Sequence, residues 1–137
     1  MKTVFADTVY WVALLTGSDP WADLAVRVTR QLGPVHLVTT EEVLSEFLTA
    51  MSRAGRTARR IAAERVLDLL HDEDVTVYPQ SHESFLEGLD LYMRRLDKGY
   101  SLVDCISMNR IRQQRIREVL TNDHHFEQEG CIALVRE

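Results

Sequence analysis

Four acidic residues that lie far apart in the sequence stand at the ends of apolar segments or within the first turns of helical patterns. They are Asp7, Glu46, Asp104 and Asp123. Carboxylates that share a small site repel one another, so they must either bind protons or face cations. Carboxylate oxygens suit Mg²⁺ or Mn²⁺, and one or two such ions can activate water against a phosphodiester. The residue types therefore predict an acidic divalent-metal site, provided that the fold brings the four together.

Each of these acids also has a simpler structural explanation. Asp7 is placed to cap the helix that follows it, and Asp123 is placed to cap a short turn. Asp104 follows Ser101 by three residues, which is the spacing of a capping box. Glu46 stands in the middle of a helical pattern, where a charge commonly faces solvent. Their shared placement at strand ends and on helices is what favours the metal site over four separate explanations.

Glu42 is a contrasting case. It precedes Glu46 by four residues and would share its helical face. However, Thr39 and Glu42 match a capping box, in which the Glu42 side chain bonds to the Thr39 amide. The pattern predicts a structural role for Glu42.

Short apolar segments alternate with longer helical patterns along the chain. Strands are predicted at residues 3–6, 35–38, 75–78, 118–121 and 131–135, with helices between them. This alternation predicts an α/β fold with three layers, in which a parallel sheet is covered by helices on both faces. In such sheets, ligands bind beyond the carboxyl ends of the strands. Asp7 and Asp123 are therefore expected over the same rim of the sheet.

The composition is that of an ordinary globular protein. Its 137 residues predict one domain over positions 1–137, with a formal net charge of −5 and a pI near 5.5. This charge argues against a protein that coats nucleic acid by bulk charge alone. Only two cysteines occur, and neither a signal-peptide pattern nor an apolar stretch of about 20 residues is found. These features predict a cytoplasmic protein without a membrane segment.

Four segments, in this order and spacing, resemble those of PIN-domain ribonucleases, and specifically the VapC-like toxins of type II toxin–antitoxin systems. The resemblance covers essentially the whole chain. The segments are Phe5-Ala6-Asp7-Thr8, Val43-Leu44-Ser45-Glu46-Phe47, Tyr100-Ser101-Leu102-Val103-Asp104 and Thr121-Asn122-Asp123-His124-His125-Phe126, with Gly130 after the last. Each segment alone is a weak motif.

The resemblance implies a five-stranded parallel sheet of order 3-2-1-4-5. It implies an endoribonuclease that depends on Mg²⁺ or Mn²⁺, is inhibited by a small cognate antitoxin and forms homodimers. The catalytic and metal-binding roles of the family fall on the four acids named above. Thr8 and Thr121 match positions whose hydroxyls support the acidic site. No role transfers to Asn122, His124 or His125, and the two histidines are expected to be surface or locally hydrogen-bonded residues.

Arginines provide local positive charge in this acidic chain. Of the 16 basic residues 14 are arginine, and positions 53–65 carry five arginines against one glutamate, a net +4. Positions 94–117 carry seven basic residues against two acidic ones, a net +5. Guanidinium groups bind phosphate bidentately. Arg53, Arg56 and Arg60 are expected to line one helical face as a contact for RNA or for the antitoxin.

Two other Asp-based folds are excluded by particular residues. A haloacid-dehalogenase-like phosphatase needs a second Asp two positions after the first, where Val9 stands. A phosphoacceptor receiver domain needs a late lysine, and none follows Lys98. The alternative that stays open is a non-catalytic PIN-fold module that binds RNA or protein and uses the acids as caps. A PIN nuclease that acts on DNA or processes ribosomal RNA is a nearer variant.

Overall fold

The computed structural model describes residues 1–136, which contain one parallel sheet of five strands. From edge to edge the order is β3-β2-β1-β4-β5, and every neighbouring pair is parallel. The strands are β1 (Thr3–Ala6), β2 (His36–Thr40), β3 (Val75–Tyr78), β4 (Glu118–Leu120) and β5 (Ile132–Ala133). The predicted fold class and strand order are confirmed.

Helices connect the strands, as parallel pairing requires. They are α1 (Thr8–Leu15), α2 (Ala22–Leu32), α3 (Glu41–Met51), α4 (Arg56–His71), α5 (His82–Arg94), α6 (Leu102–Gln113) and α7 (His124–Gln128). The sequence predicted a turn where α7 lies, because five residues are too few to show helical periodicity. Within residues 1–136, none of the helices has both the length and the apolar character that a membrane crossing needs.

The two central strands form the core of the sheet. Val4, Phe5 and Ala6 of β1 are fully buried, as are Val119 and Leu120 of β4. Continuous apolar strands of this kind are typical of a sheet covered on both faces. Ala6 is paired with Leu120, so the residues that follow these two strands emerge side by side at one rim.

One predicted helix start was wrong. β2 continues through Thr40, because Thr39 and Thr40 pair with the last two residues of β3. The N-cap of α3 is therefore Thr40, whose Oγ1 accepts a 3.1 Å hydrogen bond from the Val43 amide. The Thr39 hydroxyl instead donates to the Ala6 carbonyl. Glu42 accepts a 3.4 Å hydrogen bond from Ser84, so the predicted capping box is not formed.

Candidate active site

Asp7 is placed at the rim by β1 and held there by β4. It occupies the N-cap position of α1, but its side chain makes no capping hydrogen bond. Its carboxylate instead accepts a 2.9 Å hydrogen bond from the Thr121 hydroxyl. Burial raises the pKa of Asp7 to about 7, and the charges of Asp104 and Glu46 add to the effect. Hydrogen bonds from the Thr8 amide and from Thr121 lower this pKa only in part.

Glu46 lies in the second turn of α3 and faces α1. The Thr8 hydroxyl donates a 2.6 Å hydrogen bond to its Oε1. The side chain is half-buried, and burial, followed by the charge of Asp104, raises the pKa of Glu46. The explanation of Glu46 as a solvent-facing charge is therefore wrong. Both supporting threonines predicted from the sequence, Thr8 and Thr121, are hydrogen-bonded to acids of the site.

Asp104 and Asp123 each cap a helix as well as facing the site. Asp104 and Ser101 form the predicted capping box at the start of α6, with Oδ2 of Asp104 accepting from the Ser101 amide. Oδ1 of Asp123 accepts a 2.9 Å hydrogen bond from the His125 amide at the start of α7. Burial raises the pKa of Asp104, and the charge of Asp123 raises it further. Capping fixes the orientation of these carboxylates and leaves each one an oxygen without a capping bond.

His125 is the site residue that the sequence did not identify. Its Nδ1 lies 3.6 Å from Asp104 Oδ2 and 3.4 Å from Asp123 Oδ1. This nitrogen is buried and has no hydrogen-bond partner among residues 1–136. Its ring packs against Tyr100, with a 5.1 Å distance between ring centroids. The available signal was its position two residues after an acid at a strand end, where a short helix turns the ring inward.

The four acids share one rim but not one tight cluster. Besides burial, the charge of Asp104 raises the pKa of both Asp7 and Glu46, which makes it the central member. Within residues 1–136, one group of possible metal ligands has its ligand atoms all within 4.8 Å of one another. It consists of Asp123, His124 and His125. The four carboxylates are spaced more widely. This donor set fits Mg²⁺ or Mn²⁺, which keep several water ligands and take only some oxygens from the protein.

Comparison with known proteins agrees with this geometry. The sequence profile described as the PIN domain matches residues 4–129. The chain belongs to the PIN domain family. Among solved structures, this PIN domain is similar to VapC20 of Mycobacterium tuberculosis, a sarcin-ricin loop cleaving toxin, with a TM-score of 0.83 and 27% sequence identity. The match covers 94% of this chain and 96% of that chain. No curated protein sequence matched the chain significantly.

A cleft of about 590 Å³ lies along α3 of this PIN domain, and Glu46 is the one of the four acids that lines it. Hydroxyl and amide side chains line it together with a second carboxylate and two apolar residues: Thr8, Ser45, Thr49, Gln80, Glu42, Ala50 and Val103. These hydroxyl and amide groups can both donate and accept hydrogen bonds. The cleft gives a polar ligand direct access to the Glu46 side of the acidic rim.

The first arginine cluster lies at the junction of α3 and α4. Arg53, Arg56 and Arg60 are all exposed. Arg56 and Arg60 share a face of α4, whereas Arg53 lies in the turn before it. Gly55, with a φ of 98°, separates the two, so the expectation of one continuous helical face was wrong for Arg53.

Proposed function

We propose that this PIN domain, spanning residues 1–137, is a divalent-metal-dependent endoribonuclease that acts as a toxin and is neutralised by a small cognate antitoxin. The observation that carries the proposal is the buried carboxyl of Asp7, whose pKa of about 7 reflects burial and the nearby acids Asp104 and Glu46. A hard cation would relieve this repulsion and keep the carboxyl ionised. The likeness to a cleaving toxin supports the same conclusion.

The four acids Asp7, Glu46, Asp104 and Asp123 would hold one or two Mg²⁺ or Mn²⁺ ions. When bound, such ions supply water activation and charge stabilisation at a phosphodiester. The chain's own residues orient the ligands, because Thr121 and Thr8 fix the Asp7 and Glu46 carboxylates by hydrogen bonds. Outer hydrogen bonds of this kind commonly tune metal affinity.

The cleft beside Glu46 would hold the RNA. Ser45 and Gln80 offer donors for phosphate oxygens. The Thr49 hydroxyl donates to the Ser45 carbonyl and can still accept a hydrogen bond from a 2′-hydroxyl. We propose Arg53, Arg56 and Arg60 as a further contact, with RNA or with the antitoxin. The two thiols Cys105 and Cys131 are unpaired with each other, and we propose a reducing, cytoplasmic location on that ground.

The test is cleavage by purified, antitoxin-free protein. Transfer RNA, ribosomal RNA, messenger RNA and a hairpin carrying the sarcin-ricin loop are incubated with Mg²⁺, with Mn²⁺ or with EDTA. We expect metal-dependent cleavage that leaves 5′-phosphate and 3′-hydroxyl ends. Asp7→Asn should abolish cleavage, while the matched control Asp68→Asn, an exposed acid of α4, should retain it.

Three outcomes would contradict the proposal. Products with 2′,3′-cyclic phosphate ends would exclude attack by water. Absence of cleavage on every substrate, with RNA binding retained, would favour the non-catalytic binding module. Cleavage of DNA in preference to RNA would show that the substrate is DNA, and the proposed metal site would stand unchanged.

We also propose that the protein forms homodimers through α5. Six apolar side chains on one face of α5 and just beyond its end are 39–80% exposed, namely Phe85, Leu86, Leu89, Tyr92, Met93 and Leu96. An exposed apolar face of this size is typical of an interaction surface. Arg94 at the end of α5 is paired with Asp90 of the same helix, so the apolar face rather than charge would hold two copies together about a two-fold axis.

The dimer is tested by light scattering after size-exclusion chromatography. Leu89→Glu should convert a dimer of the wild-type chain to a monomer. Leu67→Glu, a substitution of an exposed leucine on α4 (56% exposed, against 39% for Leu89), is the control. A monomeric wild-type protein at micromolar concentration would contradict this proposal.

A further inference from the structure

A second cleft, of about 350 Å³, lies at the edge of the sheet opposite to the acids. Its floor is formed by the buried side chains of Met108, Ile111 and Ile116. Arg117 immediately precedes β4, and Cys131 immediately precedes β5. Both therefore lie at the amino ends of parallel strands, whereas the acids lie at the carboxyl ends. This cleft takes no part in the site described above.

Three arginines line this cleft: Arg112, Arg115 and Arg117. Arg112 lies 3.8 Å from Glu129, whose carboxylate also accepts hydrogen bonds from Arg95 and Tyr100. Within residues 1–136, neither Arg115 nor Arg117 forms an ion pair. Glu129 also lines the cleft, but its carboxylate is paired with Arg95 and Arg112, so the exposed guanidinium groups of Arg115 and Arg117 keep no ion-pair partner within residues 1–136.

Arg115 has an uncommon backbone conformation. Its φ is 55°, and it is the one non-glycine residue with a positive φ among residues 1–136. The other positive φ values belong to four glycines, which adopt this conformation without a steric penalty. Arg115 directly follows the C-cap of α6, and the Ile116 amide donates a 3.0 Å hydrogen bond to the Ile111 carbonyl, so the left-handed conformation ends the helix. This helix-ending turn places the Arg115 side chain at the cleft.

We propose that this cleft binds a backbone phosphate of the RNA substrate, with Arg115 and Arg117 as the phosphate ligands. The proposal rests on the proposed function for the identity of the RNA. Guanidinium groups bind phosphate oxygens bidentately. The three arginines of the cleft belong to the segment 94–117, which carries +5 in a chain of net −5, and the one acidic residue of the cleft lining is Glu129. α6 connects the two sites, since Asp104 lies in its first turn and Arg112 in its last. Eight residues of helix separate these two by about 12 Å along the axis.

A phosphate contact this far from the acids binds substrate and transition state equally. It therefore strengthens RNA binding without changing the chemical step. The contact carries no base information, so it favours RNAs whose folded shape reaches both edges of the sheet.

The test compares a double variant, R115G/R117Q, with the matched control R27Q/R30Q. The control removes the same charge from exposed arginines of α2. Binding of a labelled hairpin RNA is measured in EDTA across salt concentrations, so that no cleavage is required. We expect the double variant to bind at least fivefold more weakly than the control, with a smaller salt slope by about 0.7–0.9 per lost phosphate contact. In Mn²⁺, its KM should rise by a similar factor and its kcat should stay within twofold.

The fold of the variant is checked by thermal unfolding. Glycine at the positive φ of Arg115 should leave the midpoint unchanged or higher, so a loss of affinity would not reflect misfolding. R117Q alone provides a second variant that leaves Arg115 untouched, and it should show an intermediate loss of affinity.

Equal affinities of the double variant and the control would overturn the proposal even if the protein cleaves RNA. Conversely, a weakened variant of a protein that cleaves nothing would support the phosphate site and reject the nuclease. Binding of a poly-glutamate peptide is measured as well. If the substitutions weaken binding of this peptide but not binding of RNA, the proposal is overturned in favour of an acidic protein partner.

Discussion

The Thr121 hydroxyl donates a 2.9 Å hydrogen bond to the carboxylate of Asp7, which lies 114 positions earlier in the chain. Both residues are buried, and both follow adjacent central strands. The Asp7 amide also donates a 3.2 Å hydrogen bond to the Leu120 carbonyl. The Thr121 hydroxyl in turn accepts a bond from the Asp123 amide, so one side chain links two acids of the rim.

Thr121→Val should move the activity of the protein to higher pH. The hydrogen bond from Thr121 favours the ionised form of Asp7, so its loss raises the pKa of Asp7 above about 7. We expect about a 10-fold loss of metal-dependent cleavage at pH 7 and partial recovery at pH 8.5. Thr121→Ser retains the hydroxyl and should behave as the wild type. A pH–rate profile of the valine variant that is reduced but not displaced would contradict this role.

Asp7→Asn should stabilise the metal-free protein at alkaline pH. Because burial raises the pKa of Asp7 from 3.8 in the unfolded chain to about 7, the folded state holds its proton more tightly. The free energy of unfolding therefore falls as pH rises from about 4 to 7, by up to about 4 kcal/mol. Urea unfolding in EDTA should show a variant more stable than the wild type at pH 8 and a smaller difference at pH 4.5.

Added Mg²⁺ should reduce the stability advantage of Asp7→Asn over the wild type at pH 8. A cation that binds the ionised site stabilises the folded state by mass action. We expect millimolar Mg²⁺ at pH 8 to raise the unfolding midpoint of the wild type more than that of Asp7→Asn. Equal shifts for the two proteins would place the cation elsewhere.

Thr8→Val should weaken metal binding more than it slows saturated catalysis. The 2.6 Å hydrogen bond from Thr8 orients the Glu46 carboxylate, which is half-buried and lines the cleft. Loss of such an orienting bond typically costs 10–100-fold in metal affinity. The Mn²⁺ concentration for half-maximal cleavage should therefore rise about 10-fold, while the rate at saturating Mn²⁺ changes little. Thr8→Ser is the matched control, and an unchanged Mn²⁺ requirement of the valine variant would refute this role.

Glu129→Gln should destabilise the fold by about 1–3 kcal/mol at pH 7, since Glu129 is hydrogen-bonded to both Arg95 and Tyr100. Burial alone would raise the pKa of Glu129, but these hydrogen bonds hold it below its usual range. Its contribution is therefore present above about pH 4.5 and is lost as pH falls through the lowered pKa. Urea unfolding at pH 7 and pH 3 should show that the difference in unfolding free energy between wild type and variant is smaller at pH 3. An equal difference at both pH values would contradict this role of Glu129.

Much of the fold could be predicted because its signals are local. The buried run of β1 and the strand at β3 are bounded as predicted, since apolar segments and turn residues act over a few positions. Thr39 and Thr40 were misassigned, because their extended conformation depends on pairing with β3, which lies more than 30 residues later. The exposed stripe of α5 shows the same limit: its periodicity predicts a helix but not what covers it.

The residue order was enough to predict that acids would follow β1 and β4 and that hydroxyl residues would stand beside them. The position of His125 between Asp104 and Asp123, and that of Arg115 at a cleft on the opposite side, follow from the packing of the folded chain. The physical reason is that residue type and periodicity act between positions that are close in the sequence. The burial that raises the pKa of Asp7, and the contacts around His125, arise only when β1, β4, α6 and α7 pack together.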